Sequence, residues 1–431
     1  MNFHAAMNFE DCSACLSNQS RPLDSCAYGS RQNASSRLPR VFLYSHDTYG
    51  LGHLRRNLAL AEHLLSRARR YSVRLLTGSP VIGDWVLPDG LDVTALPPVV
   101  KTGVEAYAPR DATLPFSLVK AYREAAILKA VIEEMPDILL VDHAPAGMNA
   151  ELLATLTYIR REMPRTTVIL GLRDILDGAD QVRRIWQQQE IVPLLEHLYD
   201  RIFVYGSREL FDVVENYGIP AHIATKLSYC GYVGRAVRHD TVACSDRPFT
   251  VLVTAGGGED GYFLMEAYLK ALTRLPAGRL HSRIVTGPMM SSAQRDVLNA
   301  ATVDDPSTEI ITSTTNLPTM LEATDLVIAM AGYNTSVEIV ASGKPAILVP
   351  RAAPRAEQRL RAAMLARLGL VWCLEPGPEL DSRLCALIQS ALAGSKPNAS
   401  SQPLNLDGAA RVGREFDAIT KRQVTALEAR S

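Results

Sequence analysis

Residues 325–350 read DLVIAMAGYNTSVEIVASGKPAILVP. The pattern predicts a buried strand from Asp325 to Ala329, a turn of small residues, a short helix from Thr335 to Ala341, a glycine stop and a second buried strand. Similar aliphatic strands alternate with helical patterns along the chain, which is typical of parallel sheets covered on both faces. The predicted fold class is therefore α/β.

The turn at Ala331-Gly332 falls at the carboxyl end of the first of these strands, where open α/β sheets bind ligands. Glycine lets the backbone approach a ligand closely, and the following helix offers N–H groups and a positive dipole end to a phosphate. Glu338 lies about one turn into that helix, where a carboxylate can accept both hydroxyls of a ribose. These features predict a nucleotide site, although an ordinary turn with an exposed Glu338 would show the same pattern.

Composition narrows the class of protein. The chain has 431 residues, enough for two domains, and its formal net charge of −1 does not favour nucleic acid as a partner. We find no apolar run long enough to cross a bilayer and no apolar segment typical of a signal peptide. The seven scattered cysteines suit a reducing compartment. We therefore expect a cytoplasmic protein.

The first 38 residues are polar and aperiodic, and we expect them to form a disordered extension. Cys12 and Cys15 form a CxxC pattern with Cys26 nearby. A structural zinc site usually needs four ligands, and no second pair follows, although His4 remains a candidate fourth ligand. We therefore predict no metal site here.

A glycine loop follows the first predicted strand, Arg40 to Ser45. The loop contains Gly50 and Gly52 and ends in His53, at the start of a helix predicted to reach Arg69. An imidazole is a natural general base because its unperturbed pKa is about 6.5. The alternative is that His53 only caps or packs the helix.

The strand and helix pattern divides the chain into two domains. A composition shift at residues 229–248 predicts a linker between an N-terminal domain, residues 39–234, and a C-terminal domain, residues 235–400. Residues 401–431 contain a linker and a last helix that could pack across both domains. Three helices predicted for the N-terminal domain span Gly147 to Glu162, Ala179 to Leu198, and Ser207 to Tyr217 with Ser207 as its N-cap.

A second glycine-rich loop, Gly256-Gly257-Gly258, follows a predicted strand and precedes a helix. Its backbone N–H groups form a plausible cradle for a diphosphate. Glu259 and Asp260 would repel a diphosphate unless their side chains point away. Four more polar residues end predicted strands, either as site residues or as caps and ion-pair partners: Asp142, His143, Arg173 and Asp174.

The C-terminal half resembles glycosyltransferase family 28. The resemblance is carried by AGYNTSVE at residues 331–338, by GKPA at 343–346 with Val349-Pro350, and by Glu357-Gln358, whose order is similar to the family's donor signature. In addition, residues 50–53 (GLGH) resemble the family's N-terminal glycine loop, and residues 256–258 resemble its interior glycine loop. The resemblance covers roughly residues 40–395.

This resemblance implies a GT-B fold, in which two Rossmann-like parallel-sheet domains face a cleft. It implies an inverting transfer of a sugar, a hexosamine such as N-acetylglucosamine (GlcNAc), from a UDP-sugar to a hydroxyl acceptor on a glycan or a lipid. No metal and no other cofactor is expected. The acceptor is expected to bind the N-terminal domain.

The resemblance also assigns roles to residues. His53 would be the base or would stabilise the departing diphosphate, with Gly50 and Gly52 shaping its loop. Glu338 would bind the ribose and the backbone around Leu317 the uracil. The other expected donor-binding residues are Gly257 and Gly258 against the diphosphate, Ala331, Gly332, Asn334 and Thr335 in the donor turn, and Glu357 and Gln358 on the sugar.

Two rival functions are compatible with the same sequence. A hydrolysing UDP-sugar epimerase would use Asp142, Asp174 and Glu259 as acid–base groups. A catalytically silent nucleotide-sugar-binding partner would bind the donor without turnover.

Membrane contact is a further expectation. Arg55, Arg56, Arg67, Arg69 and Arg70 give the first helix a basic character that could sit at the inner face of a membrane, with a solvated helix face as the alternative.

Overall fold

The computed structural model describes residues 37–47, 51–66, 70–103, 106–234, 247–276, 278, 280–314, 317–351, 356–398 and 404–428. Most of the predicted N-terminal extension, the cysteines of its CxxC pattern and Gly50 lie outside these residues. Two parallel sheets with helices around them confirm the predicted α/β class.

The elements are numbered in chain order. The strands are β1 Arg40–Ser45, β2 Ser72–Thr77, β3 Leu91–Ala95, β4 Val99–Gly103, β5 Ala106–Pro109, β6 Ile138–Asp142, β7 Thr167–Arg173, β8 Arg201–Tyr205, β9 Leu227–Tyr229, β10 Phe249–Thr254, β11 Leu280–Val285, β12 Thr308–Ile311, β13 Leu326–Ala329, β14 Ala346–Leu348 and β15 Trp372–Cys373. The helices are α1 Gly52–Ser66, α2 Phe116–Glu134, α3 Leu153–Glu162, α4 Ala179–Gln188, α5 Ile191–Leu198, α6 Val213–Tyr217, α7 Ala221–Ala224, α8 Tyr262–Leu272, α9 Ser292–Thr302, α10 Leu317–Glu322, α11 Tyr333–Ser342, α12 Glu357–Arg367, α13 Leu380–Leu392 and α14 Gly408–Glu428.

The N-terminal sheet has the strand order β3-β2-β1-β6-β7-β8-β9, and all of its neighbouring strands run parallel. The chain order reverses between β1 and β6. The carboxyl ends of these two strands therefore border the kind of crevice in which open α/β sheets bind ligands. The segment after β1 leads into α1, and β6 ends at Asp142.

The C-terminal sheet has the order β12-β11-β10-β13-β14-β15 and is also parallel throughout. Its reversal lies between β10 and β13. β10 leads into the loop of Gly256 to Gly258, and β13 leads into the turn before α11. The loop of Gly256 to Gly258 and the turn at Gly332 therefore lie at one crevice.

Continuous aliphatic strands explain why both sheets are buried. Every residue of β6 and every residue of β13 is buried, as the sequence predicts for strands covered on both faces. One cluster of buried apolar side chains contains residues of both domains, including Leu43 and Phe203 from the first sheet and Val327 and Leu348 from the second. The two domains are therefore packed against each other.

Three predicted helices of the N-terminal domain are wrong in extent. The first begins only at Leu153, because Met148–Ala150 form a 3-10 turn in which Asn149 and Ala150 have φ of 45° and 68°. The second is interrupted at Glu190, whose φ of 50° separates α4 from α5.

The third is short because the Asp212 carboxylate accepts a hydrogen bond from the Val214 N–H at 2.9 Å and starts α6 there. The sequence pattern also missed the antiparallel hairpin formed by β4 and β5.

The last helix predicted within residues 401–431 is α14, Gly408–Glu428. Its Phe416 ring lies 6.3 Å from Tyr71 and 6.2 Å from Phe203, and the Tyr71 hydroxyl donates to the Asp417 carboxylate at 2.6 Å. The described contacts therefore seat α14 on the N-terminal domain, although it follows the C-terminal domain in the chain.

Candidate functional site

A cavity of about 210 Å³ lies where the two sheet reversals face each other. It is lined by residues from both domains, and it brings together most of the residues proposed from the sequence. Those that line it are Gly52, His53, Gly257, Gly258, Gly332, Asn334, Thr335, Glu357 and Gln358. Ala331, Leu317 and Glu338 do not line it.

His53 lies in the first turn of α1 and faces Asp142 at the end of β6. Its Nδ1 atom is 2.7 Å from the Asp142 Oδ2 atom. Because a lone pair on Nδ1 would be repelled by the carboxylate, this contact assigns the proton to Nδ1, which then donates to Asp142. Nε2 is thereby left as the basic nitrogen. The pairing arises because β1 and β6 are neighbours in the sheet.

Asp142 is also held by Arg56. The Arg56 Nη2 atom donates to the two carboxylate oxygens at 2.7 and 2.8 Å, and its Nε donates to Oδ1 at 3.1 Å. Burial by itself would raise the pKa of Asp142, but the charges of Arg56 and His53 outweigh it and lower the pKa to about 2. Asp142 is therefore a fixed anion that orients His53.

The ionisation of His53 follows from the same surroundings. Its side chain is 13% exposed, and burial lowers its pKa below the ordinary 6.5, an effect that Asp142 only partly offsets. His53 is therefore neutral at pH 7 and able to accept a proton.

Two further histidines surround His53. The ring centroid of His143 lies 5.1 Å from that of His53, and the ring centroid of His46 lies 5.6 Å from it. Burial lowers the pKa of His46 well below its usual value, so this ring is neutral as well. Sequence reasoning missed His46, although its place directly after β1 is a strand-end signal. Within the described part of the chain, no group of three or more His, Cys, Asp or Glu side chains is arranged to hold a metal ion.

The glycine loop after β10 lies against the start of α11. A Cβ atom placed on Gly256 would be 3.7 Å from the Thr335 Oγ1 atom. Gly258 has a φ of 94°, and a Cβ atom there would lie 2.1 Å from the Thr286 carbonyl oxygen. Only glycine fits such a position, so the loop backbone and the N-terminus of α11 form one continuous surface.

Two predicted donor-binding residues of α11 contact the opposite domain. The Asn334 Nδ2 atom donates to the Gly52 carbonyl oxygen at 2.8 Å. Glu338 is only 2% exposed, and its carboxylate is bonded to the Arg55 guanidinium of α1. The alternative of an exposed Glu338 is therefore wrong, because this acid is buried and faces the N-terminal domain.

Glu357 and Gln358 begin α12 beside Arg351. The Arg351 guanidinium donates to the Glu357 carboxylate at 2.5 Å and to the Asp260 carboxylate at 2.8 Å. The Gln358 Oε1 atom accepts from the Arg351 backbone N–H at 3.2 Å. Burial alone would raise the pKa of Glu357, but Arg351 reverses the effect and lowers it. Asp260 is thus neutralised by Arg351, which removes part of its expected repulsion of a diphosphate.

Tyr333 holds the domains together behind the cavity. Its hydroxyl donates to the Tyr205 carbonyl oxygen at 3.1 Å and accepts from the Val233 N–H at 3.0 Å. The guanidinium carbons of Arg56 and Arg361 each lie 5.5 Å from its ring centroid. Sequence reasoning missed this arrangement, for which the chain offers no local signal.

A second cavity of about 1210 Å³ adjoins the first and belongs mainly to the N-terminal domain. The two cavities share His46, Lys101, His143 and Arg351. Much of the larger wall is α4, which presents Gln181, Ile185 and Gln188 to it, together with residues of the segment after β6. The second cavity was not predicted, because α4 and that segment meet only in the folded chain.

Two expectations about charged residues are wrong. Asp174 is fully buried and accepts a hydrogen bond from the Tyr232 hydroxyl at 2.7 Å, outside both cavities. Asp142 stays ionised and so cannot serve as an acid. Of the three acid–base groups named for the epimerase alternative, only Glu259 therefore remains.

The basic face expected for α1 is wrong for Arg55 and Arg56, whereas the Arg70 side chain is 60% exposed. Arg55 pairs with Glu338 and Arg56 with Asp142, and Arg70 lies 3.7 Å from Asp417. Arg67 and Arg69 lie outside the described residues.

The profile of the glycosyltransferase family 28 C-terminal domain matches residues 250–409. The chain is 27% identical over 208 residues to the UDP-N-acetylglucosamine--N-acetylmuramyl-(pentapeptide) pyrophosphoryl-undecaprenol N-acetylglucosamine transferase of Methylobacterium sp. (strain 4-46), which covers 46% of this chain and 53% of that one. It is 25% identical over 379 residues to the protein of the same name from Solidesulfovibrio magneticus, which covers 81% of this chain and 92% of that one.

The first two curated relatives are thus matched over only about half of their length. Among solved structures, MurG of Acinetobacter baumannii superposes with a TM-score of 0.53 at 16% identity, over 89% of this chain and 99% of that chain. This likeness shows a shared fold. Residues 250–409 therefore match the C-terminal domain of glycosyltransferase family 28, and the chain shares the GT-B fold.

Proposed function

We propose that the chain is a glycosyltransferase that moves a sugar from a UDP-sugar to a hydroxyl acceptor with inversion at the anomeric carbon. The observation that carries the proposal is the His53–Asp142 pair, which places a neutral imidazole in the cavity opposite the start of α11. The family 28 domain and the named N-acetylglucosamine transferases make a hexosamine such as GlcNAc the first candidate sugar.

The reaction is a single displacement. The acceptor oxygen forms a bond to the anomeric carbon while its proton passes to Nε2 of His53. The bond between the anomeric carbon and the β-phosphate oxygen breaks on the opposite face, and UDP leaves with the electron pair. Asp142 stabilises the imidazolium that forms, since its carboxylate is 2.7 Å from Nδ1.

The donor lies along the C-terminal side of the cavity. Backbone N–H groups of the glycine loop and the N-terminus of α11 meet the charge of the diphosphate. Glu338 receives the ribose hydroxyls, and the backbone near Leu317 receives the uracil. Glu357 and Gln358 bind the sugar, with Glu357 kept ionised by Arg351.

The acceptor occupies the larger cavity of the N-terminal domain, because that cavity opens into the first beside His46 and His143. Its volume of about 1210 Å³ exceeds the roughly 300–1,000 Å³ of ordinary small-molecule sites, which suits an extended glycan or a lipid-linked acceptor.

Peripheral membrane contact at the inner face is part of this proposal. No helix among the described residues combines the length and apolarity needed to cross a bilayer. The outer face of α2 is the favoured contact, since Leu118 and Tyr122 are 58% and 62% exposed one turn apart, and the named relatives act on an undecaprenol-linked substrate. Sedimentation with anionic vesicles tests it, and a Leu118→Glu variant that sediments as well as the parent chain would contradict it.

The test of transfer begins with a thermal-shift panel of UDP-, GDP- and dTDP-sugars. The best donor is then incubated with cell extract, and products are identified by mass spectrometry. A His53→Ala variant should retain the donor-induced shift but lose most of its kcat. Full kcat in this variant, or no shift with any nucleotide sugar, would contradict the proposal. UDP release without any acceptor product would instead favour the hydrolase alternative.

A further inference from the structure

Arg55 occupies an unusual place among the cations of the cavity. Arg56 is held by Asp142, and Arg351 is held by Asp260 and Glu357, so neither charge is available to a ligand without loss of a structural pair. Arg55 also lines the cavity, but its partner is Glu338, the residue that the proposed function gives to the donor ribose.

The ribose and Arg55 therefore compete for one carboxylate. The Glu338 side chain is 3% exposed and that of Arg55 is 15% exposed, so no room remains for two hydroxyls while the pair is intact. The cavity of about 210 Å³ is also smaller than the roughly 300–1,000 Å³ of typical ligand sites. Binding of a nucleotide sugar must separate Arg55 from Glu338.

A guanidinium released from a largely buried ion pair needs another anion. Glu338 lies three residues beyond Thr335 on α11, which places the two on one face about one helical turn apart. Thr335 in turn lies beside Gly256 of the glycine loop. The diphosphate expected at that loop is therefore within reach of the Arg55 side chain, and Arg can bind phosphate oxygens bidentately.

We propose that Arg55 exchanges partners during donor binding, leaving Glu338 to the ribose and moving to the diphosphate. This inference rests on the proposed function. It adds a diphosphate-binding cation that neither the family resemblance nor the glycine loop supplies. In the ligand-free chain the same side chain neutralises Glu338, so that no buried carboxylate is left without a partner.

The exchange predicts opposite effects on two ligands. Uridine must break the Arg55–Glu338 pair without offering a new anion, whereas UDP offers its diphosphate. Replacing Arg55 by Gln should therefore increase the affinity for uridine by about threefold or more and decrease the affinity for UDP by about tenfold or more. An Arg55→Lys variant keeps the charge but loses the planar guanidinium. Its affinity for UDP should lie between those of the parent chain and of Arg55→Gln.

Isothermal titration of the parent chain and both Arg55 variants with uridine and UDP measures these effects. Arg208→Gln is the matched control, since Arg208 forms an exposed pair with Asp212 on the surface and should leave both affinities unchanged. Thermal unfolding without ligand establishes that each variant is folded. Equal effects of Arg55→Gln on uridine and UDP, or unchanged UDP affinity, would overturn the exchange.

Failure of the proposed donor site and failure of the partner exchange give different binding results. If the parent chain binds neither UDP nor uridine, the proposed nucleotide site is wrong, and the exchange is wrong with it. If the parent chain binds both and discriminates UDP from 2′-deoxy-UDP through Glu338, the proposed donor site stands. In that case the Arg55 variants alone decide the exchange.

Discussion

Replacing Asp142 by Asn tests the assignment of the base most directly. The carboxylate is almost fully buried, and its pKa of about 2 compares with an ordinary value of 3.8. That difference corresponds to roughly 2 kcal/mol of net stabilisation of the charged form. The variant loses this energy and leaves Arg56 buried without an anion, so we expect the free energy of unfolding to fall by about 2–5 kcal/mol.

The same change should weaken catalysis beyond its effect on stability. The imidazolium of His53 loses the anion that stabilises it, so kcat should fall by about 10²–10⁴ at neutral pH. In the parent chain, kcat/KM should decline as pH falls through the pKa of His53, below 6.5, since the base must be neutral. Because Asp142 raises that pKa, the midpoint should move to lower pH in the variant.

The stability term has its own pH dependence. The folded pKa of Asp142 is depressed, so its contribution is complete above pH 3.8 and disappears as pH falls from 3.8 towards about 2. Urea unfolding at pH 7 and donor-consumption kinetics from pH 5 to 8 provide the measurements. Asp381→Asn, which alters a partly exposed pair with Arg274, serves as the control. A kcat within threefold of the parent chain, or a midpoint that moves upward, would refute the reasoning.

Three other changes test the remaining parts of the site. Glu338→Ala should abolish a preference of about tenfold for UDP over 2′-deoxy-UDP in binding assays, because a hydrogen bond to a charged group carries that much energy; an unchanged preference would remove Glu338 from the ribose site. Gly258→Ala should lower the thermal midpoint by about 5 °C or more and weaken the binding of UDP, because its Cβ atom would lie 2.1 Å from the Thr286 carbonyl oxygen. Gly83→Ala is the control and should change neither quantity, because no atom lies within 4 Å of its added Cβ. Gln188→Ala should raise the acceptor KM without altering slow UDP release in the absence of acceptor, and equal effects on both rates would place the acceptor elsewhere.

The parallel sheets and the positions of His53 and Asp142 could be predicted from the sequence for a simple physical reason. A continuous aliphatic run must be buried, and a polar residue at its end must lie at the sheet edge. Aliphatic runs and the polar residues that end them can both be recognised within a few residues of sequence. The pattern of strands and helices alone therefore predicts the crevice.

The partners of the site residues could not be predicted in this way. Arg55 and Glu338 are separated by 283 residues in the chain, and only the packing of two domains brings them together. Two other differences have local causes. The helix breaks near Glu190 because Pro193 lacks an N–H and cannot continue the preceding turn, and the β4–β5 hairpin pairs strands that are adjacent in the chain. Domain packing also explains why Arg55 and Arg56 of α1 form internal ion pairs instead of a basic surface.

The return of α14 to the N-terminal domain has a consequence for biosynthesis. Val412 and Phe416 are completely buried against the first half of the chain, yet they are translated after the whole second domain. While the ribosome still holds these residues, the apolar surface around Tyr71 and Phe203 stays open to water and to other nascent polypeptides. Completion of the amino-terminal lobe must therefore wait until α14 has been synthesised, and a premature stop codon before residue 408 would leave this apolar surface uncovered.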